Sequence, residues 1–117
     1  MIETSDLVPE LDLARIRRYC AARVPARVAH LYRIEVEVKG RAVTILESRP
    51  PWSPDIGSEW TRFPVARLRF VAAQGEWVLY WRDRRQRWHE YRDIEANPDV
   101  GMLLAEIETD PTGIFWG

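Results

Sequence analysis

Residues 32–48 read YRIEVEVKGRAVTILES. Tyr32, Ile34, Val36 and Val38 alternate without exception with Arg33, Glu35, Glu37 and Lys39, the period of a strand with one buried face. Lys39-Gly40 is a turn signal, and a second strand follows over Arg41 to Ser48. A two-residue loop there sets Val36 opposite Val43 and Ile34 opposite Ile45, so the two strands share a core face. This hairpin predicts an antiparallel sheet with one side on the core.

Downstream, residues 49–61 (RPPWSPDIGSEWT) carry three prolines and a glycine, which exclude a helix or a central strand. A loop of that length in a compact domain is functional or pinned, and Trp52 and Trp60 are the expected pins. A third strand over Pro64 to Ala72 sets Ala66, Leu68 and Phe70 against Val65, Arg67, Arg69 and Val71. AQGE (73–76) turns the chain back into a fourth strand, WVLYWR (77–82), and RWHEY (87–91) makes a fifth.

Both ends read as helix. Asp6 or Asp12 is a candidate cap for the first, with Leu13, Ile16, Cys20 and Val24 as its apolar stripe and Pro25 as its stop. Its other side presents Arg15, Arg17, Arg18 and Arg23, the pattern of a solvated face. For the second, Asn97 caps, Pro98 takes the first position, and Val100, Leu103, Leu104 and Ile107 form the stripe before Asp110-Pro111 and Gly113 end it. The order helix, five strands, helix predicts an α+β fold: a five-stranded antiparallel meander sheet with the N-terminal and C-terminal helices packed on one face. The apolar Ile114-Phe115-Trp116 end is expected to dock on its own core.

The 117 residues fit one domain, 1–117, able to bury roughly two thirds of the surface its unfolded form exposes. A single cysteine supports neither a disulfide framework nor zinc spacing, and no apolar run approaches the roughly 20 residues of a membrane helix. No leader-like segment is evident, so a cytoplasmic protein is expected. The net charge of -1 conceals segregation: residues 15–92 hold all 17 bases against 8 acids, with acids alone at both ends. Whether those ends lie over the basic middle decides the field a partner meets.

The densest basic stretch is YWRDRRQRWHEY, residues 80–91. A two-residue loop at Arg84-Arg85 and a four-residue loop over 83–86 both place Trp81 opposite Trp88; an odd-length loop shifts that pairing. In the even register Trp77, Leu79, Trp81, Trp88, Glu90 and Arg92 share the core side. Tyr80, Arg82, Arg87, His89 and Tyr91 then share the second face, with Arg67 and Arg69 of the third strand. Rings interleaved with arginines on an open sheet suit stacked bases and a phosphate backbone, although Glu35 and Glu37 on that face would repel a phosphate.

Enzyme motifs are sparse. Phosphate-loop, dinucleotide, serine-hydrolase and zinc-protease patterns are missing, and no cofactor is implied. His30 reads as packed or capping and Cys20 as a small core residue. Glu47, Arg49 and Asp55 are the best set for metal-dependent nuclease chemistry.

Taken together, LDLARI (11–16), LESRPPW (46–52), EWTRFPVARLR (59–69), WVLYWRDR (77–84), WHEY (88–91) and DPTGIFWG (110–117) resemble a bacterial family, domain of unknown function 3024. The resemblance covers nearly the whole chain and implies no activity, cofactor or catalytic residue. One departure is the hairpin turn, where an Asn-Gly-like pair is expected and Arg85-Gln86 stands. The reading favours a non-enzymatic binding module that uses its second sheet face for a protein partner or another copy of itself. The alternatives are a single-stranded nucleic-acid binder and a metal-dependent nuclease.

Overall fold

The computed structural model describes residues 7–51, 53, 55, 57 and 59–117. Its elements are α1 (Glu10–Ala22), a 3-10 turn (Ala26–Val28), β1 (Arg33–Lys39), β2 (Ala42–Arg49), β3 (Thr61–Val71), β4 (Glu76–Arg82), β5 (Trp88–Glu90) and α2 (Val100–Thr109). The five strands form one antiparallel sheet in sequence order, the predicted meander.

The first hairpin turns at Gly40-Arg41 rather than Lys39-Gly40, so Val38 faces Val43 and Val36 faces Ile45. Gly40 takes φ +59, the left-handed region demanded of the first residue in a II′ turn. The register therefore differs by two from the expected one, and the faces are unchanged.

In β3 the pairing slips between Ile45–Ala66 and Leu46–Pro64, leaving Val65 as the extra residue of a bulge. The expected alternation breaks there: Val65 joins the core beside Ala66, and Pro64 and Arg62 fall on the second side of the pleat.

One cluster gathers Leu13, Ile16 and Cys20 from α1 and Val100, Leu103, Leu104 and Ile107 from α2. Val43, Ile45, Ala66, Leu68, Trp77 and Leu79 of the sheet complete it. Trp77 is wholly buried, and its indole N–H donates to Asp12 Oδ2 at 2.8 Å. Asp12 thus serves the core rather than the helix cap; Pro9 takes the cap position without a side-chain bond, and Asp6 lies outside the described residues. α1 stops at Ala22, before Pro25, and Val24 is half-buried. α2 is capped by Asp99, which accepts from Gly101 N at 2.9 Å, while Asn97 accepts from Asp99 N one step earlier.

The expected tail docking is present. Asp110 closes α2 in the left-handed conformation, and its carboxylate accepts Phe115 N at 3.0 Å and Trp116 N at 2.8 Å. Phe115 then packs on Tyr91 with ring centres 5.2 Å apart, and the Arg23 guanidinium lies 3.7 Å above the Trp116 ring.

Candidate binding face

The turn between β4 and β5 decides which side chains share a surface. Asp83 N donates to Arg87 O and Gln86 N to Asp83 O, both at 2.9 Å, which leaves Arg84, Arg85 and Gln86 as a three-residue loop. The Asp83 carboxylate holds it by accepting Arg85 N at 2.8 Å and Arg87 N at 2.9 Å. Gln86 closes it at φ +66, the left-handed residue of a bulged hairpin. With an odd loop, Tyr80 faces Glu90, Trp81 faces His89 and Arg82 faces Trp88.

This shift of one residue overturns the expected faces of β5. Tyr91 is a core residue, 3% exposed, whose hydroxyl donates to Glu106 Oε2 at 2.7 Å. His89 stacks on Trp81 with ring centres 4.9 Å apart, and its Nε2 lies 2.6 Å from Asp83 Oδ2. Arg87 is exposed in the turn. Of the seven expected site residues, Arg67, Arg69, Tyr80 and Arg82 lie together on the second face, whereas Arg87, His89 and Tyr91 do not. Trp88 and Glu90, assigned to the core side from the sequence, stand on the second face instead. No residue type in the sequence marks this loop as odd, because the left-handed position falls on glutamine and not on the glycine that ordinarily signals it.

Across the middle of that face the register lines up Glu37, Thr44, Arg67, Tyr80 and Glu90, one residue from each strand. Arg67 Nε donates to Thr44 Oγ1 at 3.0 Å, and its guanidinium carbon lies 4.4 Å from the Trp88 ring centre. Arg82 approaches the same ring at 5.7 Å. Among the described residues no carboxylate lies within ion-pair distance of Arg67, Arg69 or Arg82. Burial, then the charge of Arg82, lowers the pKa of Arg67, the response of a crowded and partly desolvated cation.

The β1 end of the face differs. Arg62 pairs with Glu35 at 3.0 Å and Lys39 with Glu37 at 3.9 Å, and Arg33 covers the Trp60 ring at 3.8 Å. Trp60 is therefore pinned by Arg33, while Trp52 lies outside the described residues. Charge on this end is balanced locally, so the surplus sits over β3 and β4.

The acids of α2 do not balance it. Asp99 pairs with Arg15 and Glu108 with Arg23, both on α1, which turns part of the expected solvated arginine face into an inter-helix contact. Tyr19 also donates to Glu108 at 2.9 Å, and burial followed by this bond pushes its pKa up to about 12.

Of the enzymatic candidates, Glu47 is bound by Arg49 at 3.1 Å and Asp55 is exposed in the long loop. Among the described residues no group of three His, Cys, Asp or Glu side chains could hold a metal ion. Cys20 is buried, and burial pushes its thiol up to about 11, away from the reactive thiolate. His30 is exposed rather than packed. No described helix is long and apolar enough to cross a membrane.

Comparison with protein families matches residues 4–117 to the domain of unknown function DUF3024. The chain belongs to this family. The DUF3024 match spans both helices, all five strands and the β4–β5 turn, so the whole second face is part of the family domain. Comparisons with curated proteins and with solved structures find no match. In this DUF3024 chain the departure from an Asn-Gly-like turn has a structural counterpart: the left-handed position falls on Gln86.

Proposed function

We propose that the protein is a cytoplasmic, non-enzymatic binding module whose second sheet face takes single-stranded nucleic acid. The observation that carries this reading is the grouping of Trp88 and Tyr80 with Arg67, Arg69 and Arg82, three arginines with no described carboxylate within ion-pair distance. Bases stack on ring faces, and a phosphate backbone supplies anions that guanidiniums can pair with. Nucleic acid is favoured over a protein partner because the odd-length loop replaces His89 and Tyr91 on this face by an indole that two guanidiniums approach.

Fluorescence anisotropy with labelled single-stranded RNA and DNA across a salt series tests it. Binding that weakens steeply with salt is expected, with a loss of about tenfold or more in Trp88→Ala, since one base–ring stack contributes about 1–3 kcal/mol. Absence of binding at low salt overturns the reading. A second reading, a protein partner or another copy of the chain, is favoured by Glu37 and Glu90 at the two ends of the central row, which offer both signs of charge. Light scattering that shows a mass rising with concentration, and reverting in Arg67→Glu, would support it.

A further inference from the structure

β3 and β4 are paired only between Arg67–Tyr80 and Val71–Glu76, although β3 starts at Thr61 and β4 runs on to Arg82. The strands part beside the Val65 bulge. The space between them is an open cavity of about 360 Å³ lined by Arg62, Phe63, Pro64, Arg82 and Gln86. That volume lies in the range of about 300–1,000 Å³ common for small-ligand sites.

Its chemistry differs from that of four other cavities on the described surface. Each of those four has at least one carboxylate in its wall: Glu90 and Asp93, Glu59, Glu108, or Glu35. This one has two guanidiniums and a carboxamide and no acid. Arg82 Nε is shut off from solvent without an acceptor, and its Nη2 meets Gln86 Oε1 at 3.3 Å. That contact orients the amide and leaves its NH2 as a donor. Arg62 pairs through Nε with Glu35 at 3.0 Å, a contact that holds its guanidinium at the cavity wall. Gln86 reaches the cavity from a backbone conformation that glycine would adopt more easily, and strain of this kind concentrates at ligand sites.

We propose that this notch binds a phosphate group, with Arg82 and Arg62 on its oxygens and the Gln86 amide donating a further hydrogen bond. The group belongs either to a free nucleotide or to a strand crossing the second face. The inference deepens the nucleic-acid reading and rests on it only for the second source, since Arg82 joins the notch to Trp88.

The test is an NMR titration of the full chain, following the Arg62 and Arg82 Nε–H groups and the Gln86 amide. Inorganic phosphate and adenosine 5′-monophosphate are the probes, with adenosine and sodium chloride as matched controls. Saturable shifts at those three groups are expected with both phosphates and with neither control. Arg82→Lys keeps the charge without the planar fork and should weaken phosphate about tenfold, the loss of one charge-assisted bond. Should that variant not fold, Arg62→Gln serves in its place, because Arg62 is exposed. No saturable shift with phosphate at tens of millimolar overturns the proposal. Oligonucleotide binding that moves Trp88 but not these three groups overturns the notch and leaves the second-face reading intact. Phosphate binding without oligonucleotide binding supports the notch and removes the strand as its source.

Discussion

The β1–β2 and β4–β5 hairpins differ in what an error of register does to them. In the first, the turn sits one residue later than the sequence suggests, the pairing moves by two, and every side chain keeps its face. In the second, one residue in the loop moves the pairing by one, and Trp88 changes places with Tyr91. Strand alternation makes the two kinds of error unequal: even shifts conserve the surface, odd shifts invert it. Both expected registers looked equally reasonable, but only the second hairpin carries aromatic residues on both faces, so only there did hydrophobicity leave the choice open.

The strongest way to break this comparison is to exchange burial for function at the two β5 rings. Tyr91→Ala should cost about 3–5 kcal/mol in urea unfolding, in the manner of other large core truncations. Trp88→Ala should cost about 1 kcal/mol or less, the scale of a surface cation–π contact, while weakening the proposed nucleic-acid binding about tenfold or more. The reverse order of stabilities would restore the even register. A milder change sharpens the same point: Tyr91→Phe leaves Glu106 without its hydroxyl donor and should cost about 1–2 kcal/mol.

Alkaline pH probes the same tyrosine. Burial, then the bond to Glu106, raises the pKa of Tyr91, and Tyr19 is pushed up to about 12. In the unfolded chain both lose their protons near about pH 10. The folded state therefore holds protons that the unfolded state releases, and stability present below that pH falls as pH rises towards the folded values. Melting curves should show this decline in the wild type and a smaller one in Tyr91→Phe.

The turns give opposite and smaller effects. Gly40→Ala forces a side chain into φ +59 with no neighbour to clash, and should destabilise by about 1 kcal/mol through the backbone alone. Gln86→Gly should stabilise by about 0.5–1 kcal/mol, because it relieves the same conformation at φ +66. Smallest of all is Gly101→Ala. A Cβ there would lie 2.1 Å from Arg15 Nη2, the mobile end of an exposed side chain, so the Arg15–Asp99 pair moves aside while helix propensity improves. The net shift in melting temperature should be close to zero, and double-mutant cycles with Arg15→Ala would show that the two changes interact.

Much of this was legible in the sequence because it rests on periodicity. Tyr32 to Lys39 named its own faces, and Leu13, Ile16 and Cys20 marked the helix stripe that the core absorbs. Asp12 was less legible: its partner is the Trp77 indole, 65 residues away, and no local pattern reports such a bond. The Val65 bulge was equally hidden, since an extra residue in a strand is recognised by its partner strand and not by its own composition. The candidate site depended on loop parity, which a single backbone conformation at Gln86 sets. Arg67, Arg69, Tyr80 and Arg82 survived that shift because β3 and β4 pair through a turn with glycine at φ +64, Gly75. Arg87, His89 and Tyr91 did not, Trp88 took their place, and Arg62 and Gln86 meet only because β3 and β4 part beside them.

The contacts between α1 and α2 also bear on how the chain assembles. Arg15–Asp99, Arg23–Glu108 and Tyr19–Glu108 join residues 84 to 89 positions apart, whereas each strand finds its neighbour almost at once along the chain. During synthesis the meander can form progressively, but Leu13, Ile16 and Cys20 have no helical partner until α2 has been made. Closing so long a loop slows the final step and prolongs exposure of an apolar stripe. The arginines along α1 keep that waiting helix soluble before two of them become the clasps that fasten the two ends together.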